Sequence, residues 1–221
     1  MTRNITMKKN SALLVWGGWE GHTPEASSRV VREILQQYDF DVVVEPTTKA
    51  FADSALKDFD LIVPVMTMSV IEEEELGNLI DVVRAGTGLA GFHGSMCDTF
   101  RNEPRYQFMT GGQWVAHPGD IIDYSVQITK PEDPIMAGIE DFDYRSEQYY
   151  LHYDPSVEVL ATTTFDGTYY EEIDGVSMPV VWKRKFGKGR VFYSALGHEA
   201  EEFKVEQMRK IFERGALWAA R

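Results

Sequence analysis

The sequence predicts an α/β protein with a parallel sheet, and two patterns support this fold class. Continuously apolar runs at 12–16, 61–65 and 88–92 have the length and composition of strands that are buried on both faces. Segments with a helical apolar stripe lie between these runs. This alternation is typical of a doubly wound, three-layer sandwich. A length of 221 residues fits one such domain.

The elements of the first half follow in order. The strand at 12–16 ends at two glycines, and Thr23 is then the expected N-cap of a helix that begins with proline. A second strand is expected at 41–44. Pro64 is unusual for a central strand, so we expect it at the end of the third strand. A second helix is predicted over 72–84, where four leading glutamates suit the positive end of the helix dipole.

The second half of the chain is richer in strands than the first. A glycine-rich hairpin turn is expected at 187–189, and an amphipathic helix over 201–220. Segment 99–123 has little periodicity, so we expect a long ordered loop over the functional site. These elements predict a flexible N-terminus at 1–10 and a single domain over 11–221. The expected strands lie at 124–129, 157–164, 178–182 and 190–194.

Composition and charge exclude several classes of partner. The chain has 22 basic and 35 acidic residues, a formal charge of −13 that disfavours nucleic acid and anionic membranes as partners. Cys97 is the single cysteine, so an internal disulfide and zinc sites with two or four cysteines are excluded. The apolar run at 12–16 is too short for a signal peptide or a membrane span, and we expect a cytoplasmic protein. The strand that carries Trp182 is one candidate surface for a homo-oligomer.

Three histidines follow predicted strands. Ligands of doubly wound sheets bind beyond the carboxyl ends of the strands. His22 follows the first strand, His93 the fourth and His198 the last, so all three are expected at one edge of the sheet. A single histidine in a loop most often has a structural role. A group of them indicates proton transfer near neutral pH or metal binding.

Two further segments carry candidate site residues. His93 lies in a Gly-Phe-His-Gly-Ser segment that resembles a nucleophile elbow, where it is an acid, a base or a ligand. Segment 145–152 is rich in polar and aromatic residues. Glu147 and His152 are either a base and the residue that orients it, or two metal ligands together with His117. The alternative is an edge strand whose polar face meets water.

Side chains suited to sugar recognition lie near these segments. Asp98, Arg101 and Gln113 are candidates for hydrogen bonds to hydroxyl groups. Trp19 and Tyr149 are candidates for stacking on the faces of sugar rings. Each aromatic residue has the alternative of belonging to the core.

Four segments together resemble the ThuA-like (trehalose-utilisation) family. They are GFHGS at 91–95, TGGQWVAHPG at 110–119, SEQYYLH at 146–152 and GRVFYSALGH at 189–198. The resemblance extends over nearly the whole chain. It implies a flavodoxin-like three-layer sandwich similar to class I glutamine amidotransferases. It also implies a role in the use of trehalose or related disaccharides, including their 3-keto derivatives.

The chain departs from true amidotransferases at the residues that hydrolyse glutamine. Those enzymes need a cysteine at the elbow and a His-x-Glu pair after a late strand. Here His93 stands at the elbow, and His198 is followed by Glu199 and Ala200. Because imidazole cannot form the thioester, glutaminase activity is not expected.

Two hypotheses of function follow. The first is an enzyme of hydrolase or isomerase type, acting on a sugar or keto-sugar, with His93, His198 and Glu147 as its acid/base group. Metal would polarise a carbonyl or activate water. The second is a sugar-binding or regulatory protein without catalysis. The residues expected to bind either substrate hydroxyls or a divalent metal such as zinc are His22, His117 and His152.

Overall fold

The computed structural model describes residues 9–221. Of the N-terminal segment 1–10 that the sequence predicts to be flexible, residues 1–8 lie outside the described residues. Within 9–221 the chain forms eleven strands and five α-helices. The strands are β1 (Ser11–Gly18), β2 (Asp41–Glu45), β3 (Leu61–Thr67), β4 (Gly88–Phe92), β5 (Gly112–Ala116), β6 (Ile121–Ile128), β7 (Phe142–Glu147), β8 (Tyr150–Tyr153), β9 (Glu158–Thr164), β10 (Ser177–Phe186) and β11 (Gly189–Ser194). The helices are α1 (Pro24–Gln37), α2 (Glu73–Ala85), α3 (Gly94–Cys97), α4 (Pro104–Thr110) and α5 (Glu206–Ala219).

Nine strands form one sheet in the order β2-β1-β3-β4-β11-β10-β9-β6-β7. The first five strands of this order are parallel to one another. Their arrangement corresponds to the 2-1-3-4-5 order of flavodoxin-like folds. The predicted α/β fold class is therefore confirmed.

The remaining four strands of the sheet are antiparallel, which accounts for the strand-rich second half. β10 and β11 form the hairpin expected around 187–189. β5 and β8 pair separately as a two-stranded sheet. As a result, the ends of β4, β7 and β11 and the β5–β8 pair surround one region of the molecule.

Helices cover both faces of the parallel half. Along β11, the Gly189 position approaches the Val83 carbonyl of α2, whereas the ring of Phe192 packs against Gly215 of α5. Residues three apart on a strand point to opposite faces, so α2 and α5 lie on opposite sides of the sheet. The Tyr38 hydroxyl bonds Glu213, which places the end of α1 beside α5. This is the predicted three-layer arrangement.

Two local predictions were wrong. Segment 99–123 is not one loop, because it contains α4, β5 and the start of β6. The helix begins at Pro104 and ends at Thr110, because the next residue, Gly111, has a φ of 88°; seven residues are too few for a visible periodicity. Pro64 lies inside β3, where β4 pairs with β3 only at Leu61 and Ile62. The missing N–H of Pro64 therefore interrupts no ladder to β4.

The side chain of Trp182 lies in the core of the chain, so this ring is not itself available for a contact between subunits. It is fully buried, and its indole N–H donates to the Thr110 carbonyl at 3.1 Å. In the described part of the chain, no helix combines the length and the apolar character that crossing a bilayer requires.

Candidate functional site

Four side chains converge beyond the carboxyl ends of the strands. His22 lies in a turn after β1, His93 follows β4, His198 follows β11, and Glu147 is the last residue of β7. One ligand atom from each lies within 4.8 Å of the others. We call these four residues the histidine–glutamate cluster. The three histidines expected at one edge of the sheet do meet there.

The distances within the cluster are short. His93 Nε2 lies 3.0 Å from Glu147 Oε2 and 3.2 Å from His198 Nδ1. His198 Nδ1 is 3.5 Å from the same carboxylate oxygen, and His22 Nε2 is 4.0 Å from it. Three imidazole nitrogens and one oxygen therefore face a common point.

The opposite nitrogens of the rings have partners outside the cluster. His93 Nδ1 donates to the Ala195 carbonyl at 2.9 Å, because a carbonyl can only accept. His22 Nδ1 is 2.8 Å from the Thr67 hydroxyl oxygen, and His198 Nε2 is 3.7 Å from Glu199 Oε1. A neutral His93 ring thus turns a lone pair toward Glu147, and two facing acceptors require a proton or a metal cation between them.

The backbone at His93 is strained in the manner of an elbow. Its φ of 47° and ψ of −134° are rare for a residue with a side chain. Hydrogen bonds hold it there, since its N–H donates to the Ser194 carbonyl and its own carbonyl accepts from the Tyr193 hydroxyl. A Cβ at Gly94 would come 2.6 Å from the His22 ring, so glycine permits the close approach of the two histidines.

Glu202 connects the backbone segments that carry two cluster members. Its carboxylate accepts hydrogen bonds from the backbone N–H groups of Gly197 at 3.1 Å and His198 at 2.9 Å. It also accepts from the hydroxyls of Ser146 at 2.8 Å and Tyr144 at 2.5 Å. Ser146 directly precedes Glu147, so one carboxylate fixes the positions of both His198 and Glu147.

Burial and the charges of neighbouring residues shift the pKa values of three cluster members. Burial, followed by the neighbouring His93 and His198, lowers the pKa of His22 to about 3, so this ring is neutral. Burial opposes ionisation of Glu147, but hydrogen bonds from His198 and His93 outweigh it and hold the pKa of the carboxyl well below its usual range. Burial lowers the pKa of His198, but the Glu147 carboxylate raises it by more, so the net shift of this pKa is upward.

His117 lies beside the cluster rather than in it. Its Nε2 is 3.7 Å from Glu147 Oε1, the oxygen that the cluster histidines do not contact, and its Nδ1 is 3.3 Å from Asp120 Oδ1. The Tyr149 ring stacks on His93 with ring centroids 4.0 Å apart, and the His117 ring is 6.3 Å from Tyr149 on a similar plane. His117 therefore lies within one side chain of the cluster, on the side of the second oxygen of Glu147.

The predicted substrate-binding residues lie at different distances from the cluster. The ring of Trp19 packs edge-on against His22 at 4.8 Å. Asp98 is buried and binds Arg101 through two hydrogen bonds, and Arg101 lies 4.6 Å above the Trp114 ring. Burial raises the pKa of Asp98, and Arg101 opposes that shift.

The structure does not bring His152 and Gln113 to the cluster. They pair with each other across β5 and β8, and His152 is exposed. The Gln113 amide donates to the Trp114 carbonyl at 3.0 Å.

Comparison with known proteins identifies the family. The family described as "Trehalose utilisation" (ThuA) matches residues 11–219. The chain belongs to the ThuA family. A search of curated protein sequences gave no match.

Solved structures show the same fold. A ThuA-like protein from Parabacteroides merdae is 18% identical with a TM-score of 0.78, and the alignment covers 96% of this chain and 90% of that one. A ThuA-like protein from Bacteroides uniformis is 16% identical with a TM-score of 0.79, covering 99% and 94%. A β-galactosidase from Rahnella sp. R3 is 16% identical with a TM-score of 0.57, covering 96% of this chain and 30% of that one.

Several residues of this ThuA-family site were missed by sequence reasoning. Thr67 at the end of β3, Asp120 in the turn after β5, and Glu202 all contact a histidine or its backbone. Thr67 ends a buried strand at the same edge as His22, and that position was a usable signal. Asp120 and Glu202 carry no comparable pattern.

Proposed function

We propose that this ThuA-family chain is a metal-dependent enzyme of hydrolase or isomerase type that acts on a sugar or keto-sugar. The observation that carries the proposal is the convergence of three imidazole nitrogens and one carboxylate oxygen, His22, His93, His198 and Glu147, within 4.8 Å. Three histidines with one carboxylate are ligands that Zn²⁺ and similar divalent ions accept.

The spacing of the ligand atoms fits such an ion. A tetrahedral site with bonds of about 2.1 Å places neighbouring ligand atoms about 3.4 Å apart. Four of the six distances between ligand atoms, 3.0, 3.2, 3.5 and 4.0 Å, lie around that value, and all six are within 4.8 Å. Ligating histidines also hydrogen-bond through their other nitrogen, as His93 does to Ala195 and His22 to Thr67. The spacing and these outer hydrogen bonds both support a metal centre at the cluster.

Residues around the cluster supply the remaining functions. A bound divalent ion would polarise a carbonyl oxygen or activate water. His117, with the Asp120 carboxylate beside its second nitrogen, is the group we assign to proton transfer. Arg101, fixed by Asp98 and stacked on Trp114, presents N–H donors for substrate hydroxyls. Trp19, which packs edge-on against His22, adds an aromatic ring beside the cluster.

The proposal of a sugar substrate is supported by the family and by the hydrogen-bonding and aromatic side chains around the cluster. The family description names trehalose, and a solved β-galactosidase contains a region of the same fold. Trehalose-related disaccharides and their keto derivatives are therefore the first substrates to test. As part of the same proposal we place the protein in the cytoplasm.

Elemental analysis of the purified chain, before and after dialysis against a chelator, tests the metal. We expect close to one divalent ion per chain, lost on chelation and absent in Glu147→Gln. His152→Ala is the matched control, since this exposed histidine should leave the ion in place. Product analysis with trehalose and 3-keto-trehalose should then show conversion only by the loaded protein. Absence of a stoichiometric ion, or conversion that survives both chelation and Glu147→Gln, would contradict the proposal.

A further inference from the structure

A cavity of about 500 Å³ lies beside His117 and is walled by aromatic side chains. Trp114 and His117 form one part of its lining, and Tyr169 and Tyr170 form another. We call this cavity the aromatic cleft. Tyr169 and Tyr170 are about half exposed, so their rings are accessible to a molecule in the cleft.

The aromatic cleft adjoins the histidine–glutamate cluster. His117 belongs to the lining of the cleft, and its Nε2 lies 3.7 Å from Glu147 Oε1. The Trp114 ring is 5.6 Å from the His117 ring and also lies beneath Arg101. The cleft and the cluster are therefore separated by a single side chain, that of His117.

The segment between β9 and β10, which carries Tyr169 and Tyr170, is held in place by hydrogen bonds and packing; we call these two residues the tyrosine wall. The two ends of this segment are joined by backbone hydrogen bonds: the Phe165 N–H donates to the Val176 carbonyl, and the Gly175 N–H donates to the Phe165 carbonyl. Tyr169 lies directly on Gly119, where a Cβ would come 2.3 Å from the tyrosine ring. Gly119 also has a φ of 87°, so glycine is required there for two reasons. The turn after β5 and the tyrosine wall are fitted to each other.

We infer that the aromatic cleft is the subsite for a second sugar ring, and that this chain selects glycosides with two rings over single sugars. The inference rests on the proposed function, since it takes the first ring to be held at the cluster. Rigid aromatic rings offer an apolar face with polar tips, which matches the C–H faces and hydroxyls of a pyranose. A volume of about 500 Å³ is enough for one such ring.

Tyr170→Ala is the most direct test. Tyr170 is exposed and lines the aromatic cleft, so its loss should not affect folding. Tyr169→Ala is the second variant. Tyr38→Ala is the control, because Tyr38 is another exposed tyrosine (43%, against 52% and 58% for Tyr169 and Tyr170), and it follows α1 rather than lining the cleft.

Calorimetric titration of the zinc-loaded full chain with trehalose and with methyl α-glucoside gives the readout. We expect trehalose to bind about tenfold more tightly, an advantage that corresponds to one stacked ring. Tyr170→Ala and Tyr169→Ala should abolish the advantage while the affinity for methyl α-glucoside and the zinc content stay unchanged.

Three outcomes would overturn the inference. They are equal affinity of the parent chain for both sugars, an advantage that persists in both tyrosine variants, and an equal loss in Tyr38→Ala. Zinc content, measured on the same samples, separates these results from failure of the metal centre, which would leave the parent chain without bound ion.

Discussion

His93 Nε2 and Glu147 Oε2 lie 3.0 Å apart, and in a neutral His93 ring, whose single N–H at Nδ1 donates to Ala195, neither of these two atoms carries a proton. A cation between them removes the conflict. Glu147→Gln replaces the negative oxygen with a neutral amide, so we expect affinity for Zn²⁺ to fall by at least about 100-fold. Competition with a fluorescent chelator measures this. The prediction fails if Glu147→Gln binds zinc as tightly as His152→Ala.

Glu202 should control metal affinity without touching the metal. Glu202→Gln replaces the carboxylate that accepts from the backbone N–H groups of Gly197 and His198 with a neutral amide, which weakens the charge-assisted hydrogen bonds that hold the segment carrying a ligand. We expect a decrease of about 10- to 100-fold in zinc affinity. Glu206→Gln, at an exposed glutamate paired with Lys210, is the control. Equal zinc affinity in the two variants would show that Glu202 does not position the site.

Gly94 should be irreplaceable by alanine. A Cβ there would lie 2.6 Å from His22 Cε1 and 2.8 Å from the Thr67 hydroxyl oxygen. Gly94→Ala should therefore displace His22, lower zinc affinity and destabilise the fold by about 1–3 kcal/mol. Gly77→Ala in α2 is the opposite case, since nothing lies within 4 Å of its Cβ position. That change should stabilise the protein by about 0.5–1 kcal/mol. Thermal unfolding compares the two.

Asp60 should make stability depend on pH in the acid range. Burial raises the pKa of its carboxyl, but hydrogen bonds from Ser11 and Arg221 lower it more, and the net shift is downward. A carboxyl with a lowered pKa stabilises the fold above its ordinary value near 4, and this contribution is lost as pH falls through the folded-state pKa.

Asp60→Asn removes this contribution. Chemical denaturation at pH 7 should show a loss of about 1–2 kcal/mol in the free energy of unfolding. The difference from the parent chain should shrink as pH decreases below about 4. A difference that stays constant down to pH 3 would contradict the assignment.

The features that sequence reasoning recovered are local ones. Parallel buried strands appear as continuous apolar runs, and the residue after each such strand lies at one edge of the sheet, so His22, His93 and His198 could be placed together. Glu147 was selected because it lies in a dense polar segment, and β7 delivers it to the same point.

The features that sequence reasoning missed depend on packing across the chain. Glu202 lies 56 residues from Ser146, and nothing near either residue indicates the hydrogen bond between them. Strand alternation keeps His152 away from the cluster: Leu151 faces the core, so the next residue, His152, must face outward. That alternation becomes visible only when the strand ends are known, and β8 is just four residues long.

The origin of the four cluster members has a mechanical consequence. Three come from the parallel half of the sheet, whereas Glu147 comes from β7, the outermost strand on the antiparallel side. An ion held by all four would tether that outer strand to the centre of the molecule. Amide protons of β6 and β7 should then exchange with solvent more slowly in the loaded protein, so that occupancy of the site is reported by the rigidity of an edge strand.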